Sequence, residues 1–247
     1  PKPMSSEQGL PQLNLFVIEH EPDASVGRLA PHLAAHQVTM VRPAGGDALP
    51  PTAGIDGVIV LGGSMGAYEV DEHPWLVDEK AWIAQVVRDD VPMLGICLGA
   101  QLLADATGGR AFRSERRVEA GVYRLHPTEA GRRDAVMPHA GDAVFAVHGD
   151  TFELPPDATL LASSDDYIQA FRIRSALGVQ FHPETDANTA IAWAQSLVAP
   201  VLEQADVTLE HFTDELRESE ADLDASSHRF FDAWIDTLGS TPENAPD

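Results

Sequence analysis

Cys97 is the single cysteine among 247 residues, and it lies in Gly95-Ile96-Cys97-Leu98-Gly99, between the apolar run Pro92 to Ile96 and the helix-forming stretch Ala100 to Ala106. A G-x-C-x-G segment between a buried strand and a helix has the spacing of a nucleophile elbow. Its flanking glycines permit a tight turn that a Cβ would crowd, and the turn presents the side chain at the strand's carboxyl end. A cysteine at a helix N-terminus also feels the positive end of the macrodipole and free N–H groups, which favour the thiolate. Such a nucleophile needs a base, and the base needs a partner to orient it. Of the ten histidines, His182 follows the apolar run Leu177-Gly178-Val179-Gln180-Phe181 and precedes Pro183-Glu184. In an extended segment before proline, residues i and i+2 project to one side, so Glu184 can accept a hydrogen bond from one imidazole nitrogen and leave the other for the sulfur. Cys97, His182 and Glu184 are thus predicted to act as nucleophile, base and orienter.

The elements that must position these residues read as an α/β chain. Leu13 to Ile18, Val38 to Val41, Gly57 to Leu61 and Pro92 to Ile96 are short apolar runs bounded by Gly, Pro or charge, the pattern of buried parallel strands. Pro74 to Asp89 has helical spacing between them. The alternation predicts a mixed, mainly parallel central sheet flanked by helices. From Arg110 to His182 the segments VYRL, AVFAVH, TLLASS, IQAFRIR and GVQFH are closely spaced strand candidates, predicted to add antiparallel or mixed strands. Asp186 to Leu202 returns to helical periodicity and is predicted as a helix packing back on the sheet. The main domain is expected over residues 10–205. Residues 206–239 are expected to form an acidic amphipathic extension of one or two helices, and 1–9 and 240–247 to be flexible termini.

Charge narrows the partners. Lys and Arg number 16 against 39 Asp and Glu, a formal charge of −23, which repels phosphate backbones and anionic lipid. Nucleic acid and membrane are therefore not expected as partners. No apolar run approaches the ~18 residues of a membrane span, and PKPMSSEQGL lacks the apolar region of a signal peptide. With one cysteine and no possible internal disulfide, the chain reads as a soluble cytoplasmic protein. G-x-x-x-x-G-K-[S/T] is absent, and the histidines and carboxylates show no zinc spacing, so neither a cofactor nor a metal is expected. The acidic end admits two readings, a solvated helix face or a docking surface for a partner protein.

Gly95 to Gln101 resembles the nucleophile motif of the class I, triad-type glutamine amidotransferases, Gly178 to Glu184 their base motif, and Val60-Leu61-Gly62-Gly63 their oxyanion-loop motif. All three occur in the family's order. Val147-His148-Gly149-Asp150-Thr151-Phe152 is similar to the amidotransferase part of GMP synthetase and to stand-alone relatives. The resemblance spans Leu13 to Leu202 and implies attack of Cys97 on the γ-amide of glutamine or another γ-glutamyl compound, with ammonia passed to a separate synthetase subunit or acceptor. It implies backbone N–H groups of Gly63 and Leu98 as the oxyanion hole, and Gly62, Gln101, Val147, His148, Gly149 and Asp150 around the substrate. Ser64 stands where relatives often carry proline, which predicts a looser loop, and Ala100 where a histidine is common. Three other readings stay open. One is a free-standing γ-glutamyl amide or peptide hydrolase. Another is a cysteine α/β-hydrolase drawing its acid from Asp157, Asp165 or Asp166. The last is a non-catalytic scaffold.

Overall fold

The computed structural model describes residues 12–116, 118–196 and 199–238. In chain order the strands are β1 (Asn14–Ile18), β2 (Gln37–Val41), β3 (Gly57–Val60), β4 (Met93–Ile96), β5 (Arg110–Arg113), β6 (Glu119–Arg124), β7 (His126–Pro127), β8 (Ala143–His148), β9 (Asp150–Glu153), β10 (Thr159–Ser163), β11 (Ile168–Ile173) and β12 (Ala176–Val179). The helices are α1 (Ala30–Leu33), α2 (Trp75–Arg88), α3 (Leu98–Ala106), α4 (Glu129–Arg133), α5 (Ala187–Ala194), α6 (Ala199–Ala205) and α7 (Leu209–Leu238).

Eight strands form the central sheet in the order β2-β1-β3-β4-β12-β11-β10-β7. The pairs from β2 through β12 are parallel, and those from β12 to β7 antiparallel. This is the mixed, mainly parallel sheet that the strand–helix alternation predicts. Two antiparallel ribbons, β5 with β9 and β6 with β8, stand beside it. The parallel strands β3, β4 and β12 are buried along their whole length, which is why they read as unbroken apolar runs.

Two segments differ from expectation. The apolar run GVQFH predicts a strand through His182, but β12 leaves the ladder after Val179, which is paired with Ile96, because β4 ends there and turns into the elbow. Gln180 to His182 are thereby freed from sheet pairing to β4. The helix expected over Asp186 to Leu202 is two helices. Pro200 lacks an N–H and its ring clashes with a preceding turn, so α6 is a fresh start rather than a continuation of α5. α5 also packs on the β6–β8 ribbon and α7 rather than on the central sheet, with Ala190 and Trp193 among Phe145, Val147 and Phe212. The expected flexible termini, residue 10, Gly239 and the apolar Leu197 lie outside the described residues.

The acidic end is a single 30-residue helix, α7, with acidic Glu210, Asp214, Glu218 and Asp222 exposed. Its other face is far from solvent: Phe230, Phe231 and Trp234 are buried in the same core as Leu15, Ile59 and Leu94. No helix among the described residues is long and apolar enough to cross a membrane.

Candidate functional site

The carboxyl ends of β1, β3, β4 and β12 converge on one cleft, the edge where α/β sheets build their sites. Cys97 occupies the turn from β4 into α3 with φ 51° and ψ −105°, a left-handed conformation costly for a residue with a Cβ. The turn is forced by close packing on both sides. A Cβ on Gly95 would come within 2.6 Å of the Gly99 carbonyl oxygen, and one on Gly99 within 2.1 Å of that of Val60. No side chain fits at either flank, so the helix starts directly against the sheet. The Cys97 N–H donates to Val179 O at 2.8 Å, locking the elbow to β12.

His182 comes from the segment beyond β12, its own N–H donating to Phe145 O at 2.8 Å. Its Nδ1 contacts Glu184 Oε1 at 2.7 Å, and the ring lies within electrostatic reach of the Cys97 side chain. Phe145 and Trp193 wall the imidazole at ring-centroid distances of 5.9 and 5.4 Å. Burial alone would discourage the imidazolium. The charge of Glu184 and the interaction with Cys97 outweigh it, and the His182 pKa rises to about 10. Glu184 is fixed from behind: Arg28 N–H donates to its carbonyl at 2.8 Å, and a Cβ on Gly27 would lie 2.0 Å from that oxygen. The Arg28 guanidinium in turn meets Glu220 and Asp224 of α7 at 2.6 and 3.1 Å. The long acidic helix thus braces the segment that carries His182 and Glu184.

Just past β3, Gly62 lies against these groups and Gly63 against Leu98 and His20. A Cβ on Gly62 would approach His182 Cε1 to 3.3 Å and Cys97 Cβ to 3.7 Å. Leu98 is the first residue of α3, where backbone N–H groups have no intrahelical acceptor. Ser64 gives its N–H to Glu21 at 3.0 Å and its hydroxyl to the same carboxylate, so it tethers the loop through a donor that proline lacks.

Gln101, Val147, His148, Gly149 and Asp150 line the cleft. Gln101 is buried and its amide turns inward, 3.3 Å from both Asp150 O and Gln180 Oε1. The His148 ring is likewise engaged, with Nδ1 2.8 Å from Asp150 O and Nε2 2.9 Å from buried Glu119. These side chains shape the main chain of the 147–150 turn. Asp150 pairs with Arg113 at 3.4 Å. Four further residues border the site without having been expected there: Glu21, Arg113, Trp193 and Gln180, whose Nε2 lies 3.5 Å from Cys97 Sγ. Gln180 carries a sequence signal, since it lies two residues before His182 in the stretch Gly178 to Glu184. The other three carry no local signal, because distant segments bring them to the cleft.

A model of the family "Glutamine amidotransferase class-I" matches residues 33–192, and the chain belongs to that family. It is 40% identical over 134 residues to GMP synthase [glutamine-hydrolyzing] of Thermomicrobium roseum, covering 52% of this chain and 23% of that protein. It is 34% identical over 136 residues to the putative glutamine amidotransferase-like protein YfeJ of Salmonella typhimurium, covering 53% of this chain and 56% of that one. The chain thus spans about a quarter of the length of the synthase and about half that of YfeJ. A solved glutamine amidotransferase from Thermotoga maritima superposes with a TM-score of 0.80 at 27% identity, over 93% of this chain and 99% of that one.

Proposed function

We propose that the chain hydrolyses the γ-amide of glutamine and releases ammonia for a separate synthetase or acceptor, with Cys97 as nucleophile, His182 as acid and base, and Glu184 as orienter. The observation that carries this reading is a buried imidazole held by Glu184 at 2.7 Å in the same cleft as the Cys97 elbow. The Cys97 thiolate attacks the γ-carbon, forming a C–S bond while the carbonyl electron pair moves to oxygen. The oxyanion collapses as the imidazolium protonates the departing nitrogen, so ammonia leaves and a γ-glutamyl thioester remains. His182 then takes a proton from water, the hydroxide adds to the thioester carbon, and collapse breaks the C–S bond to give glutamate and the thiolate. The N–H groups of Gly63 and Leu98 receive the oxyanion in both halves.

Gly62 and the main chain of Val147 to Asp150, shaped by Gln101, border the substrate. Glu21 and Asp150 suit its ammonium, and Arg113 its carboxylate. The test is ammonia release from glutamine by the purified chain beside Cys97→Ala, with trapping of the thioester. Turnover in the wild type that vanishes in the variant supports the reading, and equal release by both overturns it. A free-standing γ-glutamyl hydrolase uses the same steps. Faster turnover of γ-glutamyl anilide than of glutamine would favour it.

A further inference from the structure

Just beyond β1, His20 is fully buried together with Glu79, a carboxylate on the inner face of α2 among Leu76, Ile83 and Val86. A carboxylate at such a position costs several kcal/mol unless it is paired. His20 Nε2 meets Glu79 Oε1 at 2.9 Å, and His20 Nδ1 meets the Gly62 carbonyl oxygen at 3.0 Å. The Gly62 carbonyl can only accept, so Nδ1 carries a proton, and with Glu79 ionised Nε2 carries one as well. Trp75 stacks on the ring at 5.6 Å and 20°, the arrangement that favours a cation over an indole face. Burial opposes the charge, but the charge and hydrogen bond of Glu79 and the Gly62 carbonyl outweigh it, with Glu21 adding to the effect. The His20 pKa is accordingly raised.

The carbonyl that His20 holds belongs to the Gly62–Gly63 peptide. Because that bond is trans, fixing the Gly62 C=O toward His20 turns the Gly63 N–H the opposite way. Between two glycines the peptide has little steric resistance to rotation, so an anchor on its carbonyl sets where its N–H points. We propose that the buried His20–Glu79 pair is a positioning device that holds the Gly62–Gly63 peptide in the orientation presenting the Gly63 N–H to the oxyanion. His20 touches no substrate and acts through this one hydrogen bond. The inference rests on the glutaminase reading for its effect on rate and on the peptide alone for its structure.

Two paired variants separate the contacts, since an asparagine amide nitrogen falls where Nδ1 stands and a glutamine amide nitrogen where Nε2 stands. In a Glu79→Gln background, which removes the buried charge, His20→Gln loses the carbonyl anchor and His20→Asn keeps it. The expected result is a kcat about 100-fold lower in His20→Gln/Glu79→Gln with KM within roughly threefold of wild type, the scale of one lost oxyanion donor. His20→Asn/Glu79→Gln should recover at least about tenfold of that loss. Equal kcat in the two double variants, or a loss confined to KM, overturns the proposal. If the wild type releases no ammonia, the functional reading fails and crystal structures of the same variants decide the positioning claim. A turned Gly62–Gly63 peptide with Gln but not Asn supports it, and the same peptide in both refutes it. Should the variants not fold, nitrogen resonances of His20 in the wild type at neutral pH serve instead. A protonated Nδ1 supports the anchor, and a bare Nδ1 excludes it.

Discussion

At the scale of single residues, the pairing of His182 with Glu184 has a sign that can be measured. A histidine whose folded pKa is raised from 6.5 to about 10 stabilises the fold fully below pH 6.5 and loses that contribution as pH climbs through 10. Denaturant unfolding should therefore show stability falling between neutral pH and pH 10, and falling less in Glu184→Gln, where the anion that raises the pKa is gone. The alkaline limb of kcat/KM, which reports loss of the imidazolium, should lie near 10 in the wild type and move toward neutrality in Glu184→Gln. A limb that stays in place would remove Glu184 from its role. Steric evidence is equally local. Gly99→Ala drives a methyl to 2.1 Å from the Val60 carbonyl oxygen, a backbone atom that cannot step aside. A cost at or above the ~1–3 kcal/mol of overpacking is expected, read as a lower melting temperature. Cys97, His182 and Glu184 were legible in the sequence because each sits in a short motif. His20 and Glu79 were not, since two ordinary polar residues 59 positions apart acquire meaning only when α2 closes over the end of β1.

At the scale of elements, hydrophobic periodicity announced that α7 has an apolar face but not what covers it. Phe212, Leu216 and Leu223 pack with the β6–β8 ribbon, and Phe230 and Trp234 with the central sheet, so one helix spans two cores. Periodicity is a property of the helix alone, whereas its partner depends on sheet order, which crosses from β4 to β12 over about a third of the chain. The same limit hid the split between α5 and α6, where apolar spacing continues up to Pro200, a residue that an unbroken helix disfavours. The packing gives α7 a mechanical role, because its Glu220 and Asp224 hold the arginine that holds Glu184. Trp234→Ala removes a fully buried indole and should cost about 3–5 kcal/mol in equilibrium unfolding. A loss under about 1 kcal/mol would mean that the helix is a separable appendage.

At the scale of the whole molecule, 39 acidic groups against 16 basic ones produce a self-repulsion that isolated surface ion pairs do not offset. Such pairs weaken with salt, but the surplus of like charges is screened more, so the melting temperature should rise as sodium chloride goes from about 10 to 200 mM. A fall would mean that the Arg–carboxylate pairs outweigh the surplus. The same field bears on substrate. Glutamine is a zwitterion without net charge, and ammonia leaves uncharged, so neither is steered over long range, and kcat/KM for glutamine should stay within about twofold across that salt range. A γ-glutamyl compound carrying a further carboxylate approaches against the field, and its KM should fall as salt screens the repulsion. Measuring both substrates over one salt series therefore separates a neutral-substrate glutaminase from a hydrolase of anionic γ-glutamyl peptides. Stronger activity on the anionic substrate at every ionic strength would mean that local cationic contacts such as Arg113 overcome the global charge, and would transfer the assignment to the peptide hydrolase.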